Sequence, residues 1–240
     1  MIFIPVNCGV CARGQAFAAL FAMILVFLAD NAAFAEEKTA TDLIFAAPYL
    51  RQVPHQTAIS YSYSHKTAAP EEFGANFEEA VTVAVNDPAL PGGFNSVAIE
   101  LNAKAHRYAL GPFENTSGNP VVMMFLERDL QQMRSRVGGA PVLFRNTIRR
   151  AFREVAEVEK VSLIVDGQSV EGRKITIRPF VDEEQTGQFG RFTGKIFETV
   201  VSDAVPGGIF AMRSIVPGES AEKAALVTNE LQYQATGRKE

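Results

Sequence analysis

Four arginines near the middle of the chain, Arg145, Arg149, Arg150 and Arg153, are the side chains whose type and spacing most plainly suggest chemistry. Steps of four residues place Arg145, Arg149 and Arg153 on one ridge of a helix, with Arg150 beside them. Planar guanidinium groups at that spacing suit carboxylate or phosphate. The ridge is therefore a candidate contact for a lipid headgroup, a polysaccharide or an acidic partner. The competing reading is a solvated helix face laced by the i, i+4 pairs Arg150–Glu154 and Arg153–Glu157. Asp129 is the other candidate. It borders an apolar stripe, where an unpaired charge is expensive. Pairing with an arginine of the following helix, fixing the helix–helix register, is the expected resolution.

No catalytic constellation accompanies these residues. His55, His65 and His106 form no i, i+4 pair, and a metal could join His65 to His106 only if strand register brings them together. There is no GxSxG elbow. Gly190 to Lys195 (GRFTGK) superficially suggests a phosphate loop, but the glycine spacing is wrong and Ile196 stands where Ser or Thr is needed. Acidic runs such as Glu71-Glu72, Glu78-Glu79 and Asp182-Glu183-Glu184 read as solvated surface. Tyr61, Tyr63, Phe73, Phe77, Phe192, Phe197 and Phe210 either fill a core or line an apolar groove. The chain reads as a non-enzymatic protein without cofactor or metal.

The arginines and Asp129 must be positioned by a helical hairpin over residues 119–156. Asn119 is a good N-cap, Pro120 suits the first helical position and Gly138 suits the C-terminal end. Between them Val122, Met123, Leu126, Leu130, Met133 and Val137 recur at three- and four-residue steps, flanked by Phe125. Pro141 starts a second helix with the stripe Phe144, Ile148, Phe152 and Val155. From Glu127 to Glu154 seven arginines face three acids, a local net charge of +4 in a chain whose net charge is −4.

Nearly everything else reads as strand. A short, weak helix is expected from Asp42 to Leu50, capped by Thr41. Ile59, Tyr61, Tyr63 and His65 then alternate with serines, and Val81–Val85, Val97–Ala103 and His106–Leu110 follow. Beyond the hairpin come Val161–Val165, Lys174–Phe180, Phe189–Val201, Ile209–Val216 and Ala225–Tyr233, separated by turn signals at Asp166-Gly167, Glu171-Gly172 and Pro206-Gly207-Gly208. About nine strands at hairpin spacing favour an α+β fold: a curved antiparallel sheet or incomplete barrel, with the hairpin packed on its concave face.

Residues 1–35 read as a signal peptide. Arg13 precedes an apolar run, Ala16 to Ala29, too short for a comfortable membrane span, and Ala33-Phe34-Ala35 is an A-x-A cleavage signal. An uncleaved anchor is the alternative. Cleavage after Ala35 leaves one domain, 36–240, in the periplasm, with no stable membrane insertion. Both cysteines, Cys8 and Cys11, fall in the removed segment, so no disulfide or thiolate site remains. An acidic balance of 22 basic to 26 acidic residues in the remainder argues against nucleic acid as a partner.

The phrases NPVVMMFLERDLQQM, GGAPVLFRNTIRRAF and SDAVPGGIF resemble those of exported proteins of alphaproteobacteria, which implies compartment and organism class and brings no active residues. The element order over about residues 40 to 235 is similar to that of the periplasmic lipoprotein-carrier superfamily (LolA and LolB type), whose unclosed barrel holds acyl chains under a helical lid. That resemblance implies a lipid or acyl ligand, or an envelope protein as partner. The cover here differs in being arginine-rich, with Phe144 and Phe152 committed to packing. The leading reading is a binder of a hydrophobic ligand or envelope partner. The alternative is an accessory or scaffold protein with a filled core that binds only through its surface.

Overall fold

The computed structural model describes residues 38–103, 106–181, 189–218, 220 and 224–238. The expected signal peptide, its cleavage point and the acidic run at 182–184 lie outside them. From Lys38 on, the chain forms a single compact unit.

Nine antiparallel strands build one open sheet. In chain order they are β1 (Thr57–Thr67), β2 (Phe77–Asn86), β3 (Ser96–Ala103), β4 (His106–Glu114), β5 (Glu157–Val165), β6 (Gln168–Ile177), β7 (Ile196–Val201), β8 (Ile209–Val216) and β9 (Val227–Arg238). Their order across the sheet is β4-β3-β2-β1-β9-β8-β7-β6-β5. The chain thus starts in the centre and steps outward to one edge. Helices α2 (Val121–Val137) and α3 (Pro141–Glu154) carry it to the opposite edge, and it steps back until β9 lies beside β1. A short helix α1 (Pro70–Phe73) links β1 to β2.

Period-two alternation decides the two faces. Ile59, Tyr61, Tyr63 and His65 of β1, Val81, Val83 and Val85 of β2, and Val227, Asn229 and Leu231 of β9 are buried together. The opposite face is wet. There Glu159, Lys174, Glu198, Arg213 and Glu230 form an alternating-charge ladder over β5 to β9, with N–O distances of 2.6 to 3.7 Å. Such exposed pairs suit solubility more than stability.

Helix α2 lies on the buried face. Phe125 meets Tyr63 edge-on at 6.1 Å, and Met133 and Leu130 are also enclosed. Its start is set by Asn119, whose Oδ1 accepts from the Val121 N–H at 3.1 Å and whose carbonyl accepts from Val122 at 3.2 Å. The Asn119 amide nitrogen also donates to Tyr61 Oη and to the Gly207 carbonyl, each at 3.0 Å. One side chain thereby caps the helix and ties it to the sheet. Gly138 and Gly139 turn the chain at φ +71° and +88°, a backbone region that glycine adopts without penalty.

Several boundaries differ from the expectations. The expected helix from Asp42 is a single π-type turn, Asp42–Ala46, followed by a 3-10 turn, Tyr49–Gln52, because Pro48 interrupts it. Thr39, not Thr41, brackets its start: the Asp42 N–H donates to Thr39 Oγ1 at 3.2 Å and the Thr39 N–H to Asp42 Oδ2 at 3.1 Å. Strand β4 runs through Gly111-Pro112 with a bulge opposite β3. Glu171-Gly172 lies within β6, and Asp166-Gly167 alone turns that hairpin, at φ +50° and +79°. Gly190–Phe192 is a 3-10 turn, so β7 begins at Ile196.

The apolar stripe of α2 is also rotated. Met124 and Phe125 are buried with Val122, Leu126, Leu130 and Met133, whereas Met123 is exposed. On α3, Phe144, Ile148 and Phe152 are buried as expected, joined by Thr147 and Ala151, but Val155 ends the helix in solvent.

Candidate functional site: an open cleft beside a polar brace

Helix α2 presents two contrasting flanks, one closed and one open. On the closed flank Asp129 is 1% exposed and Lys195 is 0% exposed, and the Lys195 Nζ stands 2.7 Å from Asp129 Oδ2 and 2.9 Å from Oδ1. The arginine partner expected from the second helix is replaced by Lys195, 66 residues away. Ser214 donates to the same Oδ1, and Asn229 Nδ2 donates to it at 2.9 Å. Asn229 in turn lies 2.6 Å from His65 Nδ1 through its Oδ1 and donates to Gln132 Oε1 at 2.9 Å. Burial pushes the Lys195 ammonium below its ordinary pKa, and the attraction of Asp129 opposes that shift. The contact at Oδ2 is an ion pair without hydrogen-bond alignment, so Oδ1 carries the aligned donors.

Asp129 and Lys195 have no reach to solvent, and packed rings flank them. Phe192 and Phe197 lie 5.2 and 5.4 Å from Lys195 Nζ. Phe144, Phe180 and Phe189 close the space under α3, with ring centroids 4.5 to 6.3 Å apart. The middle of the space between helices and sheet is therefore filled. Of the aromatics that could have lined a groove, Tyr61, Tyr63 and Phe197 from strands, Phe192 from the 3-10 turn and Phe73 from α1 are core. Phe77 is exposed and Phe210 is partly buried.

The sequence did contain a signal for this brace. His65 pairs with Asn229, Asn229 with Ser214 and Ser214 with Phe197, a single row across β1, β9, β8 and β7. Three polar residues, His65, Asn229 and Ser214, fall side by side on the inward phase of three strands whose neighbouring inward residues are mostly apolar.

On the open flank a cleft of about 790 Å³ lies between the π-type turn, the end of β4 and the first two turns of α2. Phe45, Leu110, Phe113 and Met123 line it and are 36 to 44% exposed, unusual for large apolar side chains. A narrower slot of about 40 Å³ between α2 and α3 adjoins it, sharing Phe45, Met123 and Glu127 as walls. Leu126, Leu130 and Ile148 also line this slot, together with Arg145 and Arg149. Phe45 spans both spaces and meets Phe152 edge-on at 5.4 Å.

The arginine ridge is exposed along α3. Arg145 grips Glu127 of α2 with two bonds, Nε to Oε1 at 2.5 Å and Nη2 to Oε2 at 2.7 Å. That hydrogen-bonded guanidinium holds the Glu127 carboxyl below the usual carboxylate range, and Arg149 adds a weaker through-space attraction. Arg153 approaches Glu154 at 4.0 Å, while Glu157 has moved into β5 and pairs with Arg178 at 3.4 Å. Arg150 stays on the exposed face. The ridge thus divides: Arg145 and Arg149 border the slot, and neither Arg150 nor Arg153 lines it.

The histidines are not brought together. His55 pairs with Asp87 at 3.0 Å and with the Phe94 carbonyl at 2.7 Å. His65 lies on β1 and His106 on β4, two strands separated by β2 and β3. Among the described residues no cluster of three or more His, Cys, Asp or Glu could hold a metal ion. No helix among them is long and apolar enough to cross a membrane.

No protein-family model matches the chain, and no curated protein matches it. Among solved structures, a chain of the Pseudomonas aeruginosa MucA/MucB complex is similar at 10% identity and a TM-score of 0.37, over 82% of this chain and 56% of that one. This chain therefore spans little more than half of that neighbour's length. The Mycobacterium tuberculosis lipoprotein LppX is similar at 9% identity and a TM-score of 0.30, over 74% of this chain and 84% of that one.

Proposed function

We propose that this protein is a non-enzymatic binding protein of the bacterial envelope, and that its open cleft beside α2 receives an apolar ligand. One observation carries the reading. Four large apolar side chains, Phe45, Leu110, Phe113 and Met123, converge on one cleft of about 790 Å³ and stay 36 to 44% exposed there. A space of that order suits a small apolar molecule or a chain segment. The reading moves the ligand away from the middle of the covered face, where the Asp129 brace and the phenylalanines occupy the space. The alternative of a filled core with surface binding is thus partly adopted: the core is filled, and the binding surface is concave.

A test needs only the purified protein and an apolar fluorescent dye, since the chain has no tryptophan to interfere. Saturable dye binding that Met123→Gln and Phe113→Ser weaken, with the fold intact, is the expected result. Dye binding unaffected by both substitutions would place the ligand elsewhere. A second reading, an envelope protein at the same place, draws on the position of β4 at an open edge of the sheet, where a partner strand could add. Binding of a partner that is lost on altering β4 while dye binding persists would favour it.

Export belongs to the same proposal. Cleavage after Ala35 leaves Glu36 as the first residue, and mass spectrometry of the periplasmic protein reads that directly. Full-length, membrane-bound protein would instead make the domain an anchored one.

A further inference from the structure

Building on the cleft reading, we propose that the ligand is a single-chain amphiphile with a carboxylate head, bound with its head at Arg149 and Arg145 and its chain along Met123 and Phe45 towards Phe113. The two adjoining spaces differ in size and in chemistry. The large one is walled on one side by Phe45, Leu110, Phe113 and Met123 and carries Asn115, Thr116 and Ser117 on another. The small one, about 40 Å³, holds no more than an atom group about the size of a water, and its rim carries Glu127, Arg145 and Arg149. A molecule matching both ends is long and apolar with one small charged terminus.

Charge decides the sign of that terminus. Glu127, Arg145 and Arg149 together leave a single positive charge at the mouth, since one carboxylate faces two guanidinium groups. Arg145 is already engaged by Glu127 through two bonds, whereas Arg149, one turn on, acts on Glu127 only through space among the described contacts. One monoanion would neutralise the mouth, and a dianionic phosphate would overshoot it. The planar fork of arginine also matches the two oxygens of a carboxylate. The apolar residues Leu126, Leu130 and Ile148 at the slot lower the local polarity, which strengthens such a contact relative to one in open water. Glu127 then acts as an internal competitor, holding Arg145 until a ligand carboxylate exchanges with it.

The experiment compares two probes of equal chain length, dodecanoate and dodecanol, by calorimetric titration of the full chain below the concentrations at which either probe aggregates. Dodecanoate should bind about tenfold more tightly at low salt, and the margin should shrink as salt is added. Arg149→Gln should bring dodecanoate down to the level of dodecanol while leaving dodecanol unchanged. Glu127→Gln releases Arg145 and should tighten dodecanoate several-fold without affecting dodecanol, which a merely structural role for either residue would not do. Equal binding of both probes would overturn the carboxylate assignment and leave the cleft reading intact. Binding of neither probe would overturn both. A concentration-dependent dimer that dodecanoate fails to dissociate would make the cleft a contact between copies of this chain, and would equally overturn the assignment.

Discussion

Helix α2 meets its surroundings differently on its two flanks. Towards the sheet it sends Asp129 into a closed brace with Ser214 of β8, Asn229 of β9 and Lys195 from the turn before β7. Towards β4 it leaves Met123 facing a cleft, with Glu127 held from outside by Arg145. Both flanks carry an acidic residue opposed by a base, yet only the first excludes water. In the closed flank the charges are bound to the fold, so removing one partner leaves the other buried. In the open flank the charges are solvated and exchangeable, so removing one changes what binds there. Burial, not residue type, separates a structural ion pair from a recognition site.

The largest effect should come from breaking the closed flank. Lys195→Met leaves the Asp129 carboxylate buried without its cation, a change that costs about 3–5 kcal/mol by denaturant unfolding. Replacing both, Asp129→Leu with Lys195→Met, should recover part of that loss, because Ser214 and Asn229 still lack their acceptor. A single Lys195→Met variant as stable as the natural protein would show that the brace contributes little. Phe152→Ala, which removes a ring that packs under Phe45, should cost about 3–5 kcal/mol as well, with the upper end reached only if the helices fail to close over the space.

Alkaline pH tests the burial on which the comparison rests. Burial raises the phenol pKa of Tyr61 and Tyr63, and burial with the nearby Asp203 carboxylate pushes Tyr49 up to about 12. An unfolded tyrosine ionises near pH 10. A raised acid stabilises the fold while neutral, so this contribution is fully present below about pH 10 and lost as pH rises through about 12 for Tyr49 and higher for the others. The tyrosinate absorbance of these three should therefore appear together with loss of the fold above pH 10. Gradual ionisation of these three with the fold intact would contradict their enclosure. The smallest effect belongs to the open flank: Met123→Gln should change stability by no more than about 0.5 kcal/mol. It should nevertheless weaken binding of the apolar dye, a separation of stability from binding that no substitution in the brace should show.

Much of the fold was legible because it rests on local pattern. Ile59, Tyr61, Tyr63 and His65 alternate with serines, and the structure buries that phase of β1. Nine strands and two mid-chain helices follow from the same periodicities and turn residues. What the pattern could not supply was pairing across distance. Asp129 could be recognised as needing a cation, but which cation depends on strand order, and Lys195 comes from a turn that periodicity assigns to a strand. Met123 fits the spacing of the buried stripe as well as Met124 does. The difference is set by where β4 and the π-type turn end, leaving the flank of Met123 open. The cleft is a gap between elements, and gaps have no residues of their own to read.

The position of β9 beside β1 has a consequence for how the chain assembles. Thr57 pairs with Arg238 and Lys66 with Thr228, so the central seam of the sheet joins the first strand made to the last. Until β9 arrives, the chain holds two separate meanders, β1 to β4 and β5 to β8, each with an unpaired edge that will later be interior. Contacts of such long sequence separation place folding at the slow end, on the order of milliseconds to seconds, which stopped-flow refolding would read. A chain emerging from its N-terminus cannot close this seam before β9 is free. For a protein that we propose is exported, late closure would leave the sheet incomplete during passage and let β9 complete it on the far side.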